Sequence, residues 1–86
     1  MPLTAEVINK TPRLVTITLT ADGKSINRNY SLGDHDMLGR VIQSTQLYFL
    51  NREFGRAAHG EYIRNRGQYE ADAAVVRDAL IAEEAA

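Results

Sequence analysis

The chain contains no cysteine and only two histidines, His35 and His59. Without cysteine there is no disulfide staple and no thiolate metal site, and redox chemistry says nothing about compartment. Two histidines exclude a His-rich metal site. No apolar run approaches the roughly 18 residues that a membrane span requires. The opening residues "MPLTAEVINK" lack a basic region followed by an apolar core, so no signal peptide is expected and the cytoplasm is the expected compartment. Catalytic signatures are missing too. There is no phosphate-cradling glycine loop, no GxSxG elbow and no HExxH. "DHD" at 34–36 is explained by helix capping and lacks nearby further ligands for a metal. "HGE" at 59–61 is half of a zinc-deaminase signature without its cysteine pair. No catalytic residue, cofactor, metal or small-molecule substrate is therefore expected.

What is present suits a small folded domain. Hydrophobic residues make up 44% of the chain and charged residues 24%, ordinary for a globular protein. A chain of 86 residues buries only about 60–65% of its unfolded surface, so its core is modest. Net charge is −1 but unevenly distributed: residues 52–66 carry +2 and residues 67–86 carry −4. A near-neutral chain lacks the overall basic field of a general nucleic-acid binder.

The first third reads as sheet. "RLVTITLT" (13–20) alternates apolar Val15, Ile17 and Leu19 with Thr16, Thr18 and Thr20. Asp22-Gly23 then signals a two-residue hairpin loop, because both turn positions need positive φ. That loop pairs Leu19 with Ile26, Ile17 with Arg28 and Val15 with Tyr30, and places Thr18 against Asn27 and Thr16 against Asn29. The preceding "LTAEVI" also alternates, and a five-residue loop from Asn9 to Arg13 would set Val7 opposite Val15. Three antiparallel strands are expected, at about 3–8, 13–20 and 25–32, with both outer edges open unless something covers them. Arg28 falls on the apolar face, its stem packed and its head reaching the rim. The Thr/Asn face reads as the solvated side.

The remainder is helical. Asp34 is a good N-cap, with Ser31 as competitor, and Asp36 complements the helix dipole. Leu38, Val41, Ile42, Thr45 and Phe49 form an apolar stripe suited to cover the sheet, on a helix over about 35–54. "LYFL" (47–50) makes the later turns apolar nearly all round, which implies more than one neighbour. Gly55 marks the stop. Residues between that helix and a final one at about 69–83 read as a loop or short helical turn. The alternative is one continuous helix from about Ala57 that tolerates Gly67. Tyr69, Ala73, Val76 and Leu80, with Ala79 beside them, form the last stripe. Glu83 and Glu84 oppose the negative end of the dipole, so that end is expected to fray. The fold class is a two-layer α+β domain, a three-stranded antiparallel meander packed on one face by two or three helices.

Binding is the remaining function class. Four of the eight arginines lie between Arg52 and Arg66, interleaved with aromatic residues. Arginine suits planar bidentate contacts, and Arg with Tyr dominates protein hot spots. The expected function is a small non-enzymatic protein-interaction module. Its partner-binding residues are Arg52, Arg56, Tyr62, Arg64 and Arg66, with a further interface of Leu47, Tyr48, Leu50 and Arg28. The partner is another protein or a second copy of the chain, joined through "LYFL" or a sheet edge; no membrane partner is expected. In size and composition the chain is similar to phage and mobile-element accessory proteins, some of which block host enzymes by stoichiometric binding. The rival expectation is a nucleic-acid-binding domain using the Arg cluster 52–66, which the acidic tail makes less favourable; a third, purely structural reading has these arginines bond helix C-terminal carbonyls and pair with Glu53, Glu61, Glu70 and Asp72.

Overall fold

A computed structural model describes residues 3–86. Three strands, β1 (Thr4–Lys10), β2 (Leu14–Ala21) and β3 (Lys24–Ser31), precede α1 (His35–Phe54). A 3₁₀ turn (Gly55–Ala57) then leads to α2 (Ala58–Arg64) and α3 (Arg66–Ala85). The strands form one antiparallel sheet in the order β1-β2-β3, and the helices cover one face, giving the two-layer α+β arrangement.

The β2–β3 hairpin follows its turn chemistry. Asp22 and Gly23 both take positive φ, at 51° and 76°. The register is the one a two-residue loop dictates: Ala21 faces Lys24, Leu19 faces Ile26, Ile17 faces Arg28 and Val15 faces Tyr30. The β1–β2 register differs from the sequence expectation by two residues. Val7 faces Ile17 and Ala5 faces Leu19, while a bulge at Ile8 lets the strand run on to Lys10 opposite Val15. The connection is shorter than expected because Thr11 closes it. Its hydroxyl accepts from the backbone N–H of Leu14 at 3.0 Å and of Arg13 at 3.3 Å. An even shift leaves each side chain on the same face, so Glu6 still points away from the core.

Val15, Ile17 and Leu19 on β2 pack with Tyr30, Leu38, Ile42 and Leu80, all shielded from solvent. Asp34 caps α1 by accepting from Met37 N at 3.0 Å, and Ser31 does not compete for this role. Gly55 ends α1 at φ 56°. Residues 58–85 are almost continuously helical, broken only where Asn65 takes φ −117° and ψ 23°, and Gly67 sits within the first turn of α3. The final helix thus begins earlier than expected, and the alanine-rich sequence carries the glycine at a cost of about 1 kcal/mol. Val76 and Leu80 are buried, whereas Ala79 is exposed and outside the stripe. The C-terminal end does not end loosely. Glu83 and Glu84 bond back onto the sheet, which offsets their unfavourable place on the helix dipole. Among the described residues no helix is long and apolar enough to cross a membrane.

Candidate functional site

The arginines of residues 52–66 do not share a surface role. Arg64 pairs with Glu61 at 3.1 Å and Arg66 with Glu70 at 2.8 Å, each on its own helical turn. Tyr62, expected on the binding surface, is buried instead. It joins Leu50 and Ala58 in a small second core, with Leu47 and Tyr69 packed against it. Its ring stacks on Tyr69 at 5.5 Å and its hydroxyl accepts from Gln43 Nε2 at 3.1 Å. Burial, followed by the nearby carboxylates of Glu61, Glu53 and Asp72, pushes the Tyr69 phenol up from its ordinary pKa. Leu50, expected at an interface, is buried in the same cluster, and Leu47 is half-buried there. The second neighbour that "LYFL" demands is therefore α2 of the same chain, and no second copy is needed to explain these two leucines. Tyr48 and Arg56 remain exposed.

Arg52 behaves differently from Arg64 and Arg66. Its guanidinium lies 5.7 Å from the Tyr48 ring centre, and Nη1 donates to the Tyr48 hydroxyl at 3.3 Å. No carboxylate pairs with it among the described residues. The same holds for Lys24, Arg28 and Arg40. Arg28 reaches from β3 to α1, donating to Ser44 Oγ at 3.1 Å and Thr45 Oγ1 at 3.4 Å. That contact identifies which flank of α1 faces β3. Arg40, Ser44, Tyr48 and Arg52 recur at four-residue spacing along this flank. The opposite flank is occupied: Gly39 meets Arg77 of α3, Gln43 meets Tyr62, and Gln46 Nε2 donates to the Tyr69 carbonyl at 2.9 Å. Lys24 and Arg52 also line one shallow cleft with Ala21, Phe49, Asp22 and Glu53. The β3 flank thus carries four unpaired cations, with Asp22 and Glu53 at one end and Asp36 at the other.

Beside this flank runs a free strand edge. In the β2–β3 ladder, Lys24, Ile26, Arg28 and Tyr30 exchange bonds with β2, so Ser25, Asn27 and Asn29 turn their backbone N–H and C=O outward. No described group bonds to those six outward groups. The β1 edge is different. Val7 N, which points away from β2, donates to Glu83 Oε1 at 3.3 Å, and Lys10 Nζ donates to the Glu84 carbonyl at 3.0 Å. α3 therefore engages the β1 edge at Val7, whereas no side chain bonds the outward backbone groups of the β3 edge.

The outer sheet face satisfies itself. Thr16 donates to Asn29 Oδ1 and Thr18 to Asn27 Oδ1, both at 2.8 Å, and Thr20 bonds Ser25 at 2.7 Å. These cross-strand pairs stiffen β3 against β2. At the far end of the sheet, the Glu84 carboxylate accepts from the Tyr30 hydroxyl at 2.6 Å and from Gly33 N at 3.1 Å, with His35 Nε2 at 3.5 Å. The Tyr30 bond, with help from His35 and Gly33, holds the Glu84 pKa below the usual carboxylate range against the opposing effect of burial. Burial and then Glu84 push the Tyr30 phenol well above its ordinary value. Tyr30 has no solvent exposure, and this group clasps the end of α3 to the sheet. Sequence reading missed it because the partners lie far apart in the chain. Among the described residues no group of three or more His, Asp or Glu side chains is placed to hold a metal ion.

Compared with known protein families, curated proteins and solved structures, the chain shows no significant match.

Proposed function

We propose that the protein is a non-enzymatic interaction module whose binding surface is the open β3 edge with the adjoining Tyr48/Arg52 flank of α1. The observation that carries this reading is the asymmetry of the sheet. α3 engages one edge at Val7 through Glu83, while no side chain bonds the outward groups of Ser25, Asn27 and Asn29. An open edge gains bonds when another chain adds to it, and it presents alternating donors and acceptors that match a polypeptide. Stoichiometric capture of another protein, as by a phage or mobile-element accessory protein acting on a host factor, fits such a surface. The distribution of the arginines favours this over a nucleic-acid site spanning residues 52–66, since Arg64 and Arg66 are already paired and Tyr62 is buried.

The test is affinity capture from nuclease-treated lysate, comparing the full chain with Asn27→Pro. Proline there removes an outward donor without breaking a ladder bond. A protein retained by the wild type and lost from the variant, at unchanged circular dichroism, is the expected result. Retention only before nuclease treatment, or retention that the variant does not alter, would contradict the reading.

A further inference from the structure

We infer that the β3 edge accepts an extended, acidic segment of a partner protein as a fourth antiparallel or parallel strand. This rests on the interaction-module reading and specifies the chemistry of the partner.

The backbone geometry sets the form of the occupant. From Ser25 to Asn29 the free edge spans about 14 Å at ~3.4 Å per residue, the length of a short strand; beyond it the Ser31 carbonyl already accepts from Asp34 N. A chain laid there would bond to the outward groups of Ser25, Asn27 and Asn29. Its side chains would alternate between two environments. One set would continue the polar Thr/Asn face. The other would point toward the helix layer, beside the α1 flank that carries Arg40, Ser44, Tyr48 and Arg52. Cross-strand neighbours on that side include Lys24, Ile26 and Arg28 of β3.

Charge sets the identity of the occupant. Lys24, Arg28, Arg40 and Arg52 gather beside this edge without a carboxylate partner; Lys10, Arg13, Arg56 and Arg77 also lack one among the described residues, and only Arg64 and Arg66 are paired. Of the neighbouring carboxylates, Asp22 and Glu53 sit at the hairpin end of the flank beside Lys24 and Arg52, and Asp36 lies one helical turn before Arg40 at the other end. Further along, Arg28 is held only by the hydroxyls of Ser44 and Thr45. A half-buried guanidinium satisfied by neutral acceptors gains from a carboxylate brought alongside it, because charge-assisted bonds are about twice as strong as neutral ones. Glu or Asp at alternate positions of the added strand would supply that carboxylate. Tyr48 offers an adjacent exposed aromatic surface for an apolar residue between them.

The same charges exclude a second copy. Two chains joined edge to edge through β3 would bring Lys24, Arg28 and the α1 cations of both along one seam. Inward charge on an edge strand is a recognised barrier to self-pairing. The edge is therefore closed to its own kind and open to an acidic strand.

A displayed library of random twelve-residue peptides, selected on the full chain at low salt, tests this. The expected outcome is enrichment of proline-free peptides with Asp or Glu at alternate positions. Their affinity should fall about tenfold or more in Arg40→Glu/Arg52→Glu, the range expected when close charge pairs are reversed. Asn27→Pro should weaken them comparably. The charge-reversal variant changes only exposed side chains and keeps the test valid if the proline variant unfolds. Failure to enrich acidic peptides, or acidic peptides that bind Asn27→Pro as well as wild type, would overturn the added strand. So would a single-stranded oligonucleotide that binds with sensitivity to the charge reversal but not to the proline, or a wild-type dimer by light scattering that Asn27→Pro dissociates. Capture of a protein through some other face would overturn this inference and the β3 location, yet leave a binding module standing. Absence of any partner would remove both.

Discussion

The Tyr30 hydroxyl donates to Glu84 Oε2 at 2.6 Å across a sequence separation of 54 residues. This bond fastens the end of α3 to the edge strand β3, while neighbouring Glu83 occupies the opposite edge at Val7. Tyr30→Phe keeps the buried ring and removes only the donor. It should cost about 1–3 kcal/mol, the range for a bond to a charged group. Urea unfolding monitored by circular dichroism measures it, and an unchanged midpoint would mean the clasp is energetically idle.

The clasp also sets a pH dependence. The Glu84 pKa is held low in the fold, so the unfolded state binds the extra proton as pH falls. Its contribution is complete above the ordinary carboxylate pKa of about 4.3 and is lost as pH drops through the depressed folded value. Tyr30 acts at the other end. Its raised pKa means the folded state keeps the proton longer, so its contribution declines as pH rises above about 10. Denaturant midpoints across pH should show a steeper acid decline for the wild type than for Glu84→Gln.

Burial separates Tyr62 from the arginines once grouped with it. Tyr62→Ala empties part of the Leu50/Ala58/Tyr62 cluster and should destabilise by about 3 kcal/mol or more. Arg64→Ala and Arg66→Ala remove exposed pairs within single helical turns and should leave the unfolding midpoint nearly unchanged. Comparable losses for all three would show that the segment acts as one unit.

Arg28 guards the open edge. Arg28→Met keeps an unbranched stem, removes the bonds to Ser44 and Thr45, and leaves an apolar inward residue on a strand with a free edge. Concentration-dependent self-association should appear by light scattering, because inward charge on an edge strand opposes edge-to-edge pairing. A monomeric variant at all concentrations would remove this role.

Local chemistry made much of the fold readable. The Asp22-Gly23 turn determines the β2–β3 register residue by residue, and Asp34 and Gly55 bracket α1. The β1 register was less readable because it depends on how Thr11 folds its own turn, a choice that alternation alone does not encode. The pairing of Arg64 with Glu61 and Arg66 with Glu70 was visible as three- and four-residue spacing. Tyr62 was not readable as buried, since seven residues of α2 show too little periodicity to reveal a face. The open edge was anticipated for both outer strands. That Glu83, at the other end of the chain, engages one of them at Val7 is revealed only by the tertiary structure.

Residue-resolved amide hydrogen exchange on the dilute full chain tests the open β3 edge most directly. The amides of Ser25, Asn27 and Asn29 should exchange rapidly while those of Ile26 and Arg28, bonded into the ladder, and Val7, bonded to Glu83, stay protected. Strong protection at Asn27 and Asn29 would mean the edge is already paired, and would contradict a surface free to receive a partner strand.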